Sequence, residues 1–286
     1  MSLLLAVSDL VKRRKLDLRI VVAHFDHGLR GEESAADAEF VKALSEQLVT
    51  ECVVKKGRVA KAGNLEQNAR DARYAFLIEV AKKSDAFGVL TGHTMSDQAE
   101  TFLLNLIRGS GIDGLRAMPA IRELDGEMKL IRPMLHWAKR EDTEAFCRGN
   151  GVDFRFDAMN DDRRFRRVRT RKELLPLLSE MNPKIIETLA ATAETMPDRT
   201  ASRPLATDEM LISELHKLNE TDLNELLRDW LKMHRGSLRR ITREHIAAVV
   251  RLINSRKSGR EVELPGGERV VKSGGKLTFS AMAPQE

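Results

Sequence analysis

The chain is expected to be an α/β protein, a doubly wound parallel sheet followed by a smaller, mostly helical domain ending in short strands. Three observations predict this class. Short apolar runs alternate with helix-length amphipathic stretches over residues 2–107, which is the signature of parallel strands joined by helical crossovers. Polar residues cluster in the turns that follow those runs, where open α/β sheets place their ligands. The alternation then stops, and Met196-Pro-Asp-Arg-Thr-Ala-Ser-Arg-Pro204 reads as a linker. These changes divide the chain into a first domain over 1–182 and a second over 205–286, joined by 183–204.

Each element follows from local pattern. Residues 2–14 carry apolar side chains at 3, 4, 7, 10 and 11, a helical period. Arg19–Ala23 is a short apolar run of the kind buried in parallel strands, and His24-Phe-Asp-His-Gly-Leu-Arg30 follows as a polar turn. Residues 34–49 form an amphipathic helix and Glu51–Lys55 a second strand. Asn64 suits the N-cap of a third helix whose apolar face carries Leu65, Ala69, Ala72, Phe76 and Val80. A strand at 87–91 and a helix at about 96–107 complete the alternation. Residues 110–138 read as loop with one strand at Met128–Ile131, and a helix over 139–149 stops at Gly149-Asn-Gly151. Residues 205–254 read as helices, and 261–280 as a small β-meander turning at Pro265-Gly-Gly267 and Ser273-Gly-Gly275.

Composition bounds the function. Formal net charge is +5, and the two cysteines, Cys52 and Cys147, lie far apart with no C-x-x-C. This excludes a disulfide framework and a cysteine-only zinc or iron–sulfur site, and fits a reducing cytoplasm. No apolar run approaches the roughly 18 residues that span a bilayer, and the N-terminus makes a poor signal peptide. The basic residues are clustered. Residues 163–172 hold six Arg and one Lys, and further sets lie at Arg228, Lys232, Arg235, Arg239, Arg240 and Arg243, and at Arg256, Lys257 and Arg260. A single basic stripe is usually a solvated face. Three arginine-dominated stripes favour a polyanion, RNA or DNA.

The segment Gly92–Leu115 carries the most chemistry. It sets His93, Asp97, Gln98 and Glu100 within eight residues at a helix start and continues to Arg108-Gly109-Ser110-Gly111. Asp97 and Glu100 share a helix face. An isolated D-x-x-E is usually an N-terminal cap. At a strand-end turn, the pair could also hold Mg²⁺ on a nucleotide or accept a proton from an attacking amine. Arg108 and its glycine loop offer a cation and backbone N–H groups to an anion. His24, Asp26, His27 and Gly28 end another strand, and without a partner motif they suit ligand positioning better than metal binding. The acidic turn Asp157–Asp162, leading into the arginines, reads either as a capped solvated helix or as a phosphate-facing stripe.

These residues together resemble the tRNA(Ile)-lysidine synthetases, members of the N-type (PP-loop) ATP pyrophosphatase superfamily. The resemblance runs through His24–Arg30, Asn64-Leu-Glu66, Ala69-Arg70 with Arg73-Tyr74, Gly92-His-Thr with Asp97-Gln-Ala-Glu-Thr101, and Arg108-Gly-Ser-Gly with Gly114-Leu. It continues through Ile131-Arg-Pro133, Asn160, the Arg167–Arg171 run before Leu175-Pro176, and Leu264-Pro-Gly-Gly267. It implies an adenine nucleotide alpha hydrolase-like catalytic domain over 1–182, a tRNA substrate-binding domain over 205–286, and a two-step reaction. ATP adenylates C2–O of the wobble cytidine of tRNA(Ile) with a CAU anticodon, and free L-lysine then attacks C2 and expels AMP. Asp97 and Glu100 fall on the family's active-site carboxylates, and Arg167 or Arg169 on its active-site arginine. His24, Asp26, His27, Gly28, Gly92 and His93 are expected to line the ATP site, with Mg²⁺ on Asp97. Arg108, Gly109, Ser110, Gly111, Arg171, Arg239 and Arg240 are expected to meet RNA. A cytoplasmic enzyme follows, and a homodimer is compatible with the sequence.

The chain departs from the pattern at Ser96, where the family has Asp, and at Val168, where it commonly has Asn. The family's S-G-G-x-D-S phosphate loop and the strand before it are expected ahead of Met1, because Met1-Ser-Leu-Leu-Leu matches the residues just after that loop. Without the loop's N–H groups and a strand inside the sheet, the chain as written is expected to be inactive or poorly stable. A late start codon or trimming accounts for this better than degeneration. The alternatives are a non-catalytic tRNA-binding remnant, or another PP-loop tRNA enzyme such as a thiolase, which the lack of C-x-x-C disfavours.

Overall fold

The computed structural model describes residues 1–28, 32–57, 65–152, 163, 165–197, 207–238 and 240–281. Asn64, Asn160, the acidic turn 157–162, Arg30 and Arg239 lie outside the described residues. The chain forms two compact units, Met1–Pro197 and Asp198–Glu286.

The first unit alternates as its sequence pattern requires, with α1 (Ser2–Arg14), β1 (Val21–Asp26), α2 (Glu32–Gln47), β2 (Glu51–Lys56), α3 (Leu65–Lys83), β3 (Gly88–Leu90) and α4 (Met95–Ile107). Then come α5 (Ile112–Leu115), β4 (Ile121–Asp125), β5 (Met128–Ile131), α6 (Arg140–Gly149), α7 (Arg166–Arg169), a π-helical turn (Thr170–Leu174), α8 (Leu175–Met181) and α9 (Ile185–Thr195). The pairs β1–β2 and β3–β5 are parallel, and β4 runs antiparallel on the outer side of β5. Among the described residues no ladder joins β1 to β3, so the sheet is present in two pieces. Their strands are correspondingly only part-buried, with Leu90 37% exposed, where a continuous parallel sheet would cover both faces.

Two boundaries differ from expectation. The first strand continues through His24 and Asp26, because the parallel register carries to the pair Asp26–Lys56. The segment 110–138 is not mainly loop, since Ile121–Asp125 is drawn into a hairpin with β5.

α4 fixes the site. Its Ala99 and Leu103 pack with Leu175 and, less deeply, with Leu174, Leu178, Ile185, Ile186 and Leu189 of the helices that follow. Burying this apolar face orients the helix and turns Asp97 and Glu100, on neighbouring positions of the same turn, toward the β-strand ends.

In the second unit α11 (Glu220–Arg235) buries Leu223, Leu226, Leu227, Trp230 and Leu231. That spacing is the apolar stripe of an amphipathic helix. They pack against α12 (Arg243–Asn254), α10 (Ile212–Leu215) and a four-stranded antiparallel sheet of β6 (Glu209–Leu211), β7 (Arg260–Glu263), β8 (Arg269–Ser273) and β9 (Lys276–Ser280). The strand order is β6-β9-β8-β7. The strand at Glu209–Leu211 replaces the start of an expected helix, because it completes the sheet edge beside β9. Among the described residues no helix is long and apolar enough to cross a membrane.

Candidate active site

Both readings of Asp97 hold at once. Thr94 caps α4, and the Thr94 backbone N–H and hydroxyl donate to Asp97 Oδ2 at 2.9 and 2.8 Å. The other oxygen is turned into the site. Asp97 Oδ1 accepts from Arg140 at 3.2 Å and from Arg167 at 3.0 Å. Burial alone would raise this carboxyl, but Arg167, the Thr94 N–H and Arg140 outweigh it and hold the pKa below the usual carboxylate range. Asp97 therefore stays ionised and is a weak base, suited to holding a cation.

Glu100 lies deeper, fully buried, and is clasped by three guanidiniums. Arg167 Nε donates at 2.8 Å and Arg140 at 3.3 Å, while Arg171 donates from Nε at 2.6 Å and from its terminal nitrogen at 3.1 Å. Charge-assisted, partly bidentate bonds of this kind are strong and directional. Arg167 and Arg171 reach the same carboxylate because they lie four residues apart across α7 and the π-turn. Insertions of this type recur where a helix must aim side chains at a site.

The cluster lies on a cavity of about 890 Å³, a volume that suits a nucleotide. Its walls include His24 and Asp26 from β1, His27, Arg70 and Arg73 from α3, Thr91, Gly92 and His93 after β3, and Arg140, Arg167 and Arg171. Parallel strands β1 and β3 end here, as the switch-point rule expects. His93 Nδ1 lies 2.9 Å from Thr91 Oγ1. Burial above all pushes its pKa down to about 4; Asp97 opposes the shift, while Arg132, Arg73 and Arg167 add to it. His24 is lowered too, again chiefly by burial. Both imidazoles are neutral at pH 7. Asp26 builds the turn beyond β1, accepting from the Gly28 N–H at 2.7 Å.

Several expected site residues are elsewhere. Arg169 is turned away, paired with Glu173 at 3.1 Å and well exposed, because only every fourth side chain of this segment faces Glu100. Arg171, expected at RNA, instead clasps Glu100. The Arg108–Gly111 loop lies at the far end of α4, eleven residues beyond Asp97 and so about 16 Å along the axis, and it does not line the cavity. Gly109 has φ +73°, and a side chain on Gly114 would come within 2.5 Å of Ser110 Cβ, so the glycines serve the turn itself. Arg240 is exposed in the second unit, whereas Arg235 is committed to Glu268 and the Pro265 carbonyl.

Other residues gain roles that their type did not announce. The Gln98 side chain is buried and pairs with loop 116–118, donating to the Met118 carbonyl and accepting from the Met118 N–H, both at 3.0 Å. Ser96 accepts from the Arg140 N–H at 3.1 Å, so the residue that departs from the family pattern seats the first residue of α6 and with it the Arg140 guanidinium. Val168, the other departure, is buried. Asp97 is the expected magnesium ligand, but its oxygens are taken by the cap and two arginines. Among the described residues no group of three His, Cys, Asp or Glu could hold a metal. The residues present do not make a magnesium site, and no step is derived through one.

The chain matches the PP-loop domain family over residues 1–178 and the TilS substrate binding domain over 211–278. A tRNA(Ile)-lysidine synthase of Salinispora tropica is 33% identical over 296 residues, covering 97% of this chain and 86% of that protein. The chain belongs to the tRNA(Ile)-lysidine synthase family. The family enzyme of Symbiobacterium thermophilum is 42% identical over 63% of this chain and 38% of its own length. That of Geobacter sulfurreducens is 33% identical over 96% of this chain and 62% of its own length. The chain thus spans well under two thirds of some of the relatives it matches. A U34-tRNA thiolase from Methanococcus maripaludis with its [4Fe-4S] cluster superposes with a TM-score of 0.52 at 12% identity, covering 69% of this chain and 67% of that one. This likeness supports the PP-loop fold alone.

Proposed function

We propose that this chain is an ATP-dependent tRNA(Ile)-lysidine synthase, a carbon–nitrogen ligase that joins L-lysine to C2 of the wobble cytidine of tRNA(Ile) with a CAU anticodon. The observation that carries the reading is the Asp97–Glu100–Arg167 cluster on a nucleotide-sized cavity in a chain that also matches the family's substrate-binding domain. In the first step the cytidine C2 oxygen attacks the α-phosphorus of ATP and pyrophosphate leaves. In the second the lysine ε-amine attacks C2, AMP leaves with the C2 oxygen, and the amine loses a proton.

The residues suit parts of this chemistry. Arg167 and Arg140, at the cavity wall, can stabilise negative charge on phosphate. Asp97, held ionised, can hold the lysine ammonium and orient its amine after proton loss. Neutral His93 and His24 can accept or donate hydrogen bonds without adding charge. Arg108 and Arg240, both exposed, remain candidates for tRNA phosphate contacts, whereas the Gly109 and Ser110 N–H groups donate to the Leu106 and Asn105 carbonyls.

The test is AMP release with ATP, tRNA and lysine, together with mass analysis of the tRNA. It is run on the chain as given and on the chain preceded by an S-G-G-x-D-S strand and loop. Release that requires both tRNA and lysine, with lysine joined to the tRNA, is expected from the extended form. Release without lysine, sulfur in place of lysine, or bound but unmodified tRNA with both forms would overturn the assignment.

A further inference from the structure

The three arginines that clasp the carboxylates are not held alike. Arg171 reaches Glu100 at 2.6 and 3.1 Å and Arg167 reaches it at 2.8 Å, with a further 3.0 Å bond from Arg167 to Asp97. Arg140 reaches Asp97 and Glu100 through one shared nitrogen, at 3.2 and 3.3 Å. A strong charge-assisted bond is shorter, at about 2.7–2.9 Å. The Arg140 side chain is also the most exposed of the three. If Arg140 leaves, Arg167 still pairs Asp97, and Arg167 and Arg171 still pair Glu100, so no buried carboxylate is stranded. If Arg167 leaves instead, the one guanidinium on Asp97 is Arg140 with its longer bond.

The backbone of Arg140, by contrast, is pinned. Arg140 opens α6, where the first N–H groups have no partner within the helix. Its own N–H donates instead to the Ser96 hydroxyl oxygen at 3.1 Å, and the neighbouring Met95 N–H donates to the Ala138 carbonyl at 2.8 Å. Ser96 is buried and precedes Asp97 directly, so the pivot of the guanidinium is fixed against the carboxylate it serves. Four residues along α6, Glu144 shares the cavity wall with Arg140, and its ion pair with Arg148 is long, at 3.9 Å. Side chains at this spacing meet on one helix face.

We propose that Arg140 is the swinging arginine of this site, pivoting at the Ser96 hydroxyl between the Asp97–Glu100 carboxylates and, in the ligand-free chain, Glu144, and that Ser96 is thereby a positioning residue for the reaction. The swing uncovers Asp97 Oδ1 while Arg167 and Arg171 keep both carboxylates paired. Its use in turnover rests on the reading above, which seats the lysine ammonium at Asp97.

The test uses the full ligand-free chain labelled with ¹⁵N-arginine, with the three Nε resonances assigned through Arg140→Lys, Arg167→Lys and Arg171→Lys. Relaxation at Arg140 Nε should report larger-amplitude motion than at Arg167 or Arg171, and Glu144→Gln should bring it close to theirs. Ser96→Ala should speed hydrogen exchange at the Arg140 amide about fivefold, as losing one ordinary hydrogen bond allows, and shift Arg140 Nε while leaving Arg171 Nε in place. Ser96→Asp, which restores an acceptor with the residue the family carries there, should reverse both changes. An Arg140 guanidinium as still as Arg171, an Arg167 that moves more, or Arg140 amide exchange unchanged in Ser96→Ala overturns the proposal. Arg140 motion unchanged in Glu144→Gln overturns the second partner. In the AMP-release assay Ser96→Ala should lower kcat at least about tenfold with the KM for ATP within about twofold, and Ser96→Asp should regain the loss; an unchanged kcat overturns the positioning role. If the parent shows no lysine-dependent release, the lysidine reading fails, while exchange and relaxation still decide whether Arg140 swings.

Discussion

Replacing Glu100 by Gln keeps shape and volume and removes one buried charge. In the structure this carboxylate is fully buried and accepts at least four hydrogen bonds from three arginines. The amide would keep one accepting oxygen and turn an NH₂ toward a guanidinium, so part of the clasp becomes donor against donor. Removing one partner of a buried ion pair costs about 3–5 kcal/mol. The arginine side chains are 34, 26 and 21% exposed, so water screens part of the loss and about 3 kcal/mol is the better figure. For a unit of this size each kcal/mol lowers the melting temperature by about 2–4 °C, which gives a drop of roughly 6–12 °C. Calorimetry on the full chain measures it, with the first unit's transition moving and the second unit's staying in place. The control is Glu173→Gln, which breaks the exposed pair with Arg169 and should shift melting by no more than about 2 °C. If Glu100→Gln also melts within about 2 °C of the parent, the arginine clasp is not holding the fold together and the reasoning fails.

Three further outcomes follow from the same geometry. Gln98→Leu fills the same volume but orphans the Met118 N–H and carbonyl, so it should cost about 2–4 kcal/mol and speed hydrogen exchange at Met118; unchanged protection there would refute the clamp. His93 has its pKa lowered to about 4 from 6.5, so the native state binds fewer protons across that window: its contribution is fully present above about pH 6.5 and is lost as pH falls toward about 4, at most about 3 kcal/mol. The difference in melting temperature between the parent and His93→Gln should therefore change between about pH 4 and 6.5 and level off above, and a flat difference would contradict the burial argument. In the turnover assay, Arg167→Gln should lower kcat by about 10²-fold or more, whereas Arg169→Gln should stay within about threefold; equal losses would show that both arginines act at the site.

The helix–strand order was legible because it rests on local periodicity, which α1, α2, α4 and β5 display strongly. Strand β4 was not, because Ile-Arg-Glu-Leu-Asp carries just two apolar residues and becomes a strand through its hairpin with β5. Strand β6 depends on β9, sixty-seven residues later at the pair Glu209–Lys276 in the same sheet edge, a distance no local pattern reports. Within the site, Asp97 and Glu100 were readable from their helical spacing. Arg140 was not, since its place comes from where α6 begins and from the Ser96 hydroxyl that seats it. The arginine run announced positive charge but not its direction. Which members face inward is decided by Val168 and Thr170 being buried between them, and by the π-turn.

The closed carboxylate–arginine cluster places a condition on the proposed reaction. Asp97 Oδ1 is held by Arg140 and Arg167, so an ammonium can reach it fully when an arginine moves aside. An arginine that leaves a buried carboxylate without a new partner would strand two charges, at a cost of several kcal/mol. A phosphate in the cavity supplies that partner, since Arg140 and Arg167 both line it. The exchange is then close to balanced: arginine passes from carboxylate to phosphate as ammonium takes its place. On this account the anionic and cationic substrates each lower the cost of seating the other. In the structure the arginines keep both carboxylates paired. Glu100 accepts from Arg167 and Arg140 as well, so an arginine that moves gives up its bond to both carboxylates, while Arg171 keeps Glu100 paired and anchors the segment that carries Arg167.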